Sequence, residues 1–183
     1  MDFKTVFNIL LKYFHEHGIR YGLIGGFALG ALGIPRATID LDFLIHWDDL
    51  PKVNEIMETA GYECRYQTGN ISQYVSLLKP LGNVDFLHAF RKASVRMLDR
   101  TKEFTLFDDK TKVKVLQPED IIGLKIQAAV NDPERLPQEY IDIEAIMERY
   151  GKRLNWEVLE EYFELFKQQK RLQELKDKYY NVK

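Results

Sequence analysis

The chain has 183 residues, of which 45% are hydrophobic and 30% charged, which is enough apolar material for the core of one domain, with or without a small appendage. Lysine and arginine (26) nearly balance aspartate and glutamate (28). The formal charge of −2 argues against a protein that binds duplex nucleic acid mainly through phosphate neutralisation. The single cysteine, Cys64, excludes an internal disulfide and a cysteine-based zinc site.

The amino terminus has no features of a secretion or membrane signal. Charged residues interrupt its apolar positions, and no small-residue cleavage site follows them. The longest uncharged apolar run, residues 22–34, is rich in glycine and shorter than the about 20 residues that cross a bilayer. We therefore expect a cytoplasmic protein that makes no use of a membrane.

The predicted elements change character along the chain. Apolar residues at three- and four-residue spacing predict a first helix over 3–14, which Gly18 ends. Alternating apolar patterns and glycine-rich breaks then predict strands at 21–24, 39–45, 63–67, 73–78, 84–90, 104–107 and 112–115, with helices at 27–32, 48–60 and 91–99. Asp48 or Asp49 is expected to cap the helix at 48–60. Helices follow at 118–130, 138–150 and 156–168, with a charged tail from Lys170. The sequence therefore predicts an α+β fold, in which a mixed β-sheet flanked by helices (1–115) precedes a helical region (116–183).

Two aspartates, Asp40 and Asp42, fall within the apolar strand predicted at 39–45. Successive side chains of a strand alternate between its faces, so both carboxylates are predicted on the same face. Two negative charges this close stay ionised only with solvent or a bound cation between them. Mg²⁺ prefers such a site, with a few carboxylates and the phosphates of a substrate as ligands. Taken alone, this spacing is more often a solvated strand edge or a turn.

Two further features point to phosphate chemistry. Gly25 and Gly26 follow the strand predicted at 21–24 and open a helix, where backbone N–H groups without side chains can bind phosphate. A third acid, Asp85, lies in an apolar strand, where an unpaired buried carboxylate would be costly. Together the acids and the glycine turn describe a two-metal phosphoryl-transfer site. The alternative is three unrelated surface aspartates and a tight turn.

These residues give the chain a resemblance to the nucleotidyltransferase superfamily. Leu23-Ile24-Gly25-Gly26, followed by Asp40-Leu41-Asp42-Phe43-Leu44, is similar to its signature of an apolar strand, Gly-Gly or Gly-Ser, a short helix and Asp-x-Asp. Asp85 stands where the superfamily has its third acid. The likeness is nearest to AbiEii-type abortive-infection toxins, which carry a lysine on a helix after the sheet, here Lys125, and then an Arg- and Asp-containing stretch, here 135–143.

The resemblance implies a polymerase-β-like fold and the transfer of a nucleoside monophosphate from an NTP. Asp40, Asp42 and Asp85 would hold two Mg²⁺ ions, and Asp85 would also help to deprotonate the acceptor hydroxyl. That hydroxyl attacks the α-phosphate in line, and pyrophosphate leaves. Gly25 and Gly26 would bind the β- and γ-phosphates through their backbone.

Three more residues have both a functional and a structural interpretation. The resemblance makes Lys125 a point charge on the triphosphate, and Arg36 lies near enough in sequence to reach the same pocket. The structural alternatives are a solvent-facing helix position for Lys125 and a loop salt bridge for Arg36. For Asp142, a surface helix position or a helix-terminal charge is favoured over a role in the site.

The remaining polar and aromatic residues near the strands are assigned structural roles. His46 and His88 follow the acids on their strands and are interpreted as polar strand-end residues rather than substrate contacts. Tyr66, Tyr74 and Phe90 would be able to stack a base, but aromatic residues on strands are usually core or cross-strand pairs. No run of basic and aromatic residues resembles an RNA-recognition motif.

The charged tail carries an apolar stripe, Leu172, Leu175 and Tyr179, at helical spacing. This stripe predicts either docking on the domain or pairing with a second subunit, so a homodimer is one of two open alternatives. An apolar stripe on a helix is normally covered by one of these two partners.

The sequence thus favours a Mg²⁺-dependent nucleotidyltransferase that uses an NTP. Its acceptor would be a hydroxyl on a tRNA end, a partner protein or a small molecule, in a toxin–antitoxin or phage-defence system. Two alternatives stay open. One is an aminoglycoside-type small-molecule nucleotidyltransferase, and the other is a non-catalytic member of the same fold that binds a nucleotide or a partner.

Overall fold

The computed structural model describes residues 2–76, 78–107 and 111–181. The chain divides into two compact units, residues 1–116 and 117–183. Residue 77 of the strand predicted at 73–78, and residues 182 and 183 of the predicted tail, lie outside the described residues. None of the helices in these ranges is both long and apolar enough to cross a membrane.

In its described residues, the first unit is a seven-stranded mixed sheet with helices packed on it. Its helices are α1 (Phe3–Glu16), α2 (Gly25–Ala31), α3 (Leu50–Thr59) and α4 (Lys92–Asp99). Its strands are β1 (Tyr21–Leu23), β2 (Leu41–His46), β3 (Tyr62–Gln67), β4 (Ile71–Ser76), β5 (Asn83–Ala89), β6 (Lys102–Leu106) and β7 (Thr111–Val115). The strand order is β3-β4-β5-β2-β1-β7-β6, in which β2 pairs with β5 and β1 with β7 in parallel and the other neighbours are antiparallel. The predicted α+β fold is confirmed.

Aromatic rings form the core between α1 and the central strands. Phe7 and Phe14, one helical face of α1, lie edge-on to Phe43 of β2 at centroid distances of 6.2 and 5.4 Å. Phe43 in turn stacks on Phe86 of the neighbouring strand β5 at 5.8 Å. All four side chains are buried. This packing fixes β2 and β5 side by side, which are the two strands that carry the predicted acids.

The start of α3 differs from its prediction. The sequence offers Asp48 or Asp49 as a capping side chain, but Asp49 stands at the N-cap without capping the helix. Its carboxylate accepts instead from the backbone N–H, Nε and Nη2 of Arg20, each at 2.9 Å. Burial of Asp49 opposes its ionisation, but the hydrogen bonds from Arg20 outweigh burial and lower the pKa of Asp49. The expected cap is therefore wrong, and the pair ties the entry of β1 to the start of α3.

The second unit consists of helices in its described part. They are α5 (Pro118–Asn131), α6 (Leu136–Tyr150), α7 (Trp156–Leu165) and α8 (Gln169–Tyr179). Helix α8 packs on α6 and α7 and buries Leu172 and Leu175. Arg171 of α8 also bonds Glu144 of α6 at 2.9 Å. The apolar stripe of the tail therefore docks within its own unit, while a homodimer stays a prediction.

Candidate active site

The glycine turn and the predicted acids meet at one end of strands β1, β2 and β5. Because β2 and β5 are parallel and in register, Asp42 lies directly beside Asp85. Register partners on neighbouring strands are about 4.8 Å apart and point to the same face of the sheet. From the other side, the backbone N–H of Ile24, after β1, donates to the carbonyl oxygen of Asp42 at 3.0 Å. The structure thus brings together two acids that stand 43 positions apart in the sequence.

The two glycines are required by close approach. Gly25 has φ +66°, in the left-handed region, and a Cβ there would lie 2.8 Å from the Cγ of Asp42. A Cβ on Gly26 would lie 2.6 Å from the Cβ of Thr38. Real Cβ contacts are longer than 3.0 Å, so both positions exclude a side chain unless a neighbour moves. The α-carbon of Gly25 therefore forms one wall of the space that the Asp42 carboxylate occupies.

Asp40 lies beside this pair but not on the strand. It precedes β2, which begins at Leu41, so the expectation that both aspartates stand on one strand is wrong. The Thr38 hydroxyl donates to the carbonyl oxygen of Asp40 at 3.0 Å. Such a local side-chain bond competes with strand pairing and holds the backbone in a bend. Asp40 remains close enough for its charge to act on Asp85.

The surroundings of Asp85 shift the pKa of its carboxyl group. It is half-buried, and burial raises the pKa of its carboxyl group. A hydrogen bond from Nε2 of Gln73 to Oδ2, at 3.0 Å, lowers the pKa of Asp85 in part, whereas the charge of Asp40 raises it. Sequence reasoning missed Gln73. Only the antiparallel register of β4 and β5, which sets Gln73 opposite Asp85, reveals it.

The donor chemistry of this site fits Mg²⁺. No group of three or more Asp, Glu, His or Cys side chains in the described residues is spaced to hold a metal ion by itself. However, Mg²⁺ commonly takes one or two carboxylates and completes its shell with water and substrate phosphates. The burial of Asp85 and its repulsion by Asp40 are costs that a divalent cation would relieve. Asp40, Asp42 and Asp85 are therefore suitable ligands in the presence of a nucleotide.

Lys125 is enclosed by acids within the second unit. Its Nζ donates to Oε2 of Glu139 at 2.9 Å and to Oδ2 of Asp142 at 2.6 Å, and only 12% of its side chain is exposed. Arg135 binds the other oxygen of Glu139 at 2.5 Å. The solvent-facing alternative for Lys125 and the surface position favoured for Asp142 are both wrong, because the two side chains form a buried ion pair between α5 and α6. Binding of a nucleotide by Lys125 stays a prediction.

The other residues singled out by sequence lie in different surroundings. Arg36 is exposed in the segment between α2 and β2. His88 is buried, with Nε2 3.0 Å from the Ser72 hydroxyl. Tyr74 is also buried and donates to Asn54, as expected of a core aromatic, whereas 46% of Phe90 is exposed. The structural interpretation thus fits Tyr74 and His88, while Phe90 is not a core residue but has its ring centroid 6.4 Å from that of Trp47.

A family model extends over nearly the whole chain. The model, which describes uncharacterised nucleotidyltransferases, matches residues 5–175 and so includes the glycine turn and all three acids. The chain belongs to this family. The resemblance to the nucleotidyltransferase superfamily is thereby confirmed, and the chain is an enzyme of the nucleotidyltransferase class. No curated protein sequence matches this nucleotidyltransferase.

Solved structures share the fold of this nucleotidyltransferase at low sequence identity. ANT(2″)-Ia in complex with adenylyl-2″-tobramycin has a TM-score of 0.65 at 15% identity, over 91% of this chain and 97% of that chain. An antigenic nucleotidyltransferase-like protein from Paracoccidioides brasiliensis has a TM-score of 0.56 at 21% identity, over 95% of this chain and 91% of that chain. The lincosamide antibiotic adenylyltransferase LnuA, bound to lincomycin, has a TM-score of 0.55 at 15% identity, over 78% of this chain and 94% of that chain. At these identities the likeness establishes the fold alone.

Proposed function

We propose that this nucleotidyltransferase transfers a nucleoside monophosphate from an NTP to an acceptor hydroxyl at the site formed by Gly25, Asp40, Asp42 and Asp85. The observation that carries the proposal is the pairing of Asp42 with Asp85 across β2 and β5, with Gly25 packed against the Asp42 carboxylate. Within a nucleotidyltransferase family, an acid pair beside a glycine turn is an arrangement suited to a triphosphate.

Each group in the site has a separate task in this reaction. Backbone N–H groups of Gly25 and Gly26 bind the β- and γ-phosphates, and Arg36 adds a positive charge from the flanking segment. Asp85, which lies beside Asp42 across β2 and β5, accepts the proton of the acceptor hydroxyl. The hydroxyl oxygen then forms a bond to the α-phosphorus as the bond from that phosphorus to pyrophosphate breaks.

The proposal includes two Mg²⁺ ions held by Asp40, Asp42 and Asp85. When bound, they would neutralise the triphosphate and increase the acidity of the acceptor hydroxyl. Gly25 closes one side of the space around the Asp42 carboxylate and so restrains its position. Gln73 holds one oxygen of Asp85 and so orients the other.

The first candidate acceptor is a hydroxyl on a tRNA end or on a partner protein. The resemblance to AbiEii-type toxins supports this acceptor class, together with a role in a toxin–antitoxin or phage-defence system. Lys125 belongs to the same proposal as a residue for the triphosphate. Because it is paired with Glu139 and Asp142, that role would require the lysine to be shared with two carboxylates.

A small molecule such as an antibiotic is the second candidate acceptor. The fold likeness to ANT(2″)-Ia and LnuA favours it, because it extends over 97% and 94% of those chains. ANT(2″)-Ia was solved with adenylyl-2″-tobramycin, and LnuA is a lincosamide antibiotic adenylyltransferase solved with lincomycin bound. A fold accommodates many acceptors, so the acceptor itself has to be determined by experiment.

Label transfer tests the proposal directly. The protein would be incubated with Mg²⁺ and each α-³²P-labelled NTP, with total tRNA, a lysate, or a panel of aminoglycosides and lincosamides as acceptor. The variants are Asp42→Asn and Asp85→Asn, and Glu58→Gln, an exposed residue of α3, is the matched control.

We expect label on one acceptor class with the wild-type and control proteins, and a loss of at least about a hundredfold in both aspartate variants. Transfer that persists in the aspartate variants would refute this site. Binding of Mg²⁺–NTP without transfer to any acceptor would support the non-catalytic alternative instead.

A further inference from the structure

Two aromatic rings are exposed at the end of the sheet opposite the acids. His46 and Ala89, the last residues of β2 and β5, are register partners, and Trp47 and Phe90 follow them directly. Their ring centroids lie 6.4 Å apart, and 40% of Trp47 and 46% of Phe90 are exposed. Trp47 and Phe90 each stand five positions after an acid of the site, which corresponds to about 16 Å along the strands.

The exposed rings are held by their neighbours. The His88 ring lies behind Trp47 at a centroid distance of 5.4 Å and is itself bonded to Ser72 at 3.0 Å. On the other side, the guanidinium carbon of Arg91 lies 5.3 Å from the centroid of Phe90. Trp47, Phe90 and Arg91 form what we call the stacking surface. Because these contacts already hold the rings, little conformational freedom is left to lose when a flat ligand binds.

A positive segment continues from the stacking surface. Residues 91–102 contain five basic residues and one acidic residue, in a chain whose formal charge is −2. Lys92 and Arg96 are exposed and stand four positions apart on α4, so they lie on the same face of that helix. Exposed aromatic rings and a row of cations therefore adjoin each other in the first unit.

This combination fits a single-stranded nucleic acid better than its alternatives. Unpaired bases stack on aromatic rings and guanidinium groups while cations follow the phosphates. A duplex hides the faces of its bases, and an acidic peptide would pair with the cations but lacks flat rings for Trp47 and Phe90. We propose that the stacking surface and α4 bind single-stranded RNA. The assignment to RNA rests on the proposed function, because an RNA end offers the hydroxyl groups that transfer requires.

Binding is measured without the reaction, so that the two proposals fail separately. A fluorescein-labelled, unstructured 12-nucleotide RNA is titrated with protein in EDTA and without NTP, and anisotropy is recorded at several salt concentrations. The variants are Phe90→Leu and Arg91→Gln/Lys92→Gln/Arg96→Gln. The matched control is Lys4→Gln/Lys12→Gln, which removes exposed charges from α1.

We expect each surface variant to weaken RNA binding by about tenfold or more, and the control by less than about twofold. The triple variant should also flatten the slope of log K against log salt by about two, since each phosphate contact contributes about 0.7. If Phe90→Leu proves unfolded by circular dichroism, the triple variant alone decides.

A tryptophan signal reports on the rings themselves. The chain has two tryptophans, so Trp156→Phe leaves Trp47 as the only tryptophan, and stacked RNA should quench its fluorescence. Absence of RNA binding, or equal binding by the triple variant and the wild type, would overturn the proposal. So would equal or tighter binding of the matching single-stranded DNA, of duplex RNA, or of polyglutamate. A protein that binds RNA here but transfers no label would refute the proposed function and leave this surface supported.

Discussion

Adding a methyl group at residue 25 should distinguish the effect of Asp42 placement on activity from its effect on the stability of the fold. Gly25→Ala forces alanine into the left-handed region at φ +66°, which costs about 1–2 kcal/mol. The new Cβ would also lie 2.8 Å from the Cγ of Asp42, whereas ordinary contact begins at 3.4 Å. The carboxylate must therefore retreat by at least about 0.6 Å or leave its rotamer, at a further cost of about 0.5–1.5 kcal/mol.

Activity should fall in this variant under conditions where the protein remains folded. A displacement of about 1 Å in a reacting site lowers a rate by about a hundredfold, while the two costs together lower the free energy of unfolding by about 1.5–3.5 kcal/mol. Urea unfolding measures the second quantity, and label transfer, at a temperature where both proteins are folded, measures the first. Gly30→Ala is the matched control on the same helix, because a Cβ at Gly30 meets nothing within 4 Å. It should stabilise the protein by about 0.5–1 kcal/mol and leave transfer unchanged.

A double variant tests whether Gly25→Ala lowers activity by displacing Asp42. If Gly25→Ala acts by displacing Asp42, then Gly25→Ala/Asp42→Asn should transfer no more slowly than Asp42→Asn alone, since the carboxylate is already lost. Additive losses in the double variant would mean that Gly25 acts independently of Asp42. Full activity in Gly25→Ala, with normal stability, would refute the reasoning from close approach altogether.

Two further predictions concern ion pairs whose carboxylates are buried. Asp49→Asn should lower the unfolding free energy at pH 7 by about 1–3 kcal/mol, because it weakens the charge-assisted bonds to Arg20. Since folding lowers the pKa of Asp49, this stabilisation is present above its unfolded pKa, near 3.8, and is lost as the pH falls through the folded value. Urea titrations of wild type and variant should thus converge at acid pH, and a difference that is constant with pH would contradict the assignment. Lys125→Met should lower the free energy of unfolding by about 3 kcal/mol, because Glu139 and Asp142 then lie buried beside each other without Lys125. The triple variant Lys125→Met/Glu139→Gln/Asp142→Asn should recover that stability. If it does not, the two acids are not the cause of the loss.

Local pattern was sufficient to predict the elements and the glycine turn. Helix α1 has its apolar residues at helical spacing, and β2 and β5 are short apolar runs, so both types follow from periodicity. Gly25 is needed at a left-handed turn that touches a neighbouring side chain, and Gly-Gly after an apolar strand is a local signal of such a turn. Asp40 shows where this reasoning stops. The apolar Ile39 beside it favours a strand, but Ile39 is 81% exposed and the Thr38 hydroxyl holds the bend.

The order and register in which the strands pair could not be predicted from the sequence. Asp85 could be placed on a strand, but its position opposite Asp42 depends on β5 pairing with β2 in parallel, and the position of Gln73 depends on β4 pairing with β5. Neither pairing is encoded in the strands alone, because apolar strands such as these would pair in several orders with similar burial.

Helix packing likewise decides where charges lie in the second unit. A lysine on an amphipathic helix is most often solvated, and Lys125 is buried only because α5 and α6 pack together and bring Glu139 and Asp142 to it.

The sheet therefore has a functional candidate at each end, and they differ in how they arise. At the end where β2 and β5 begin, polar residues are kept in an apolar sheet by a wall of glycine and by a bond from Gln73. At the end where the two strands finish, Trp47 and Phe90 stay exposed although burial of large aromatic rings is favourable. In both places the fold holds a side chain in surroundings that cost stability, and such sites are where binding partners compensate the cost. An acceptor that bound to both ends would span the length of β2 and β5, which makes the length of RNA required for transfer a direct measure of whether the two ends serve one reaction.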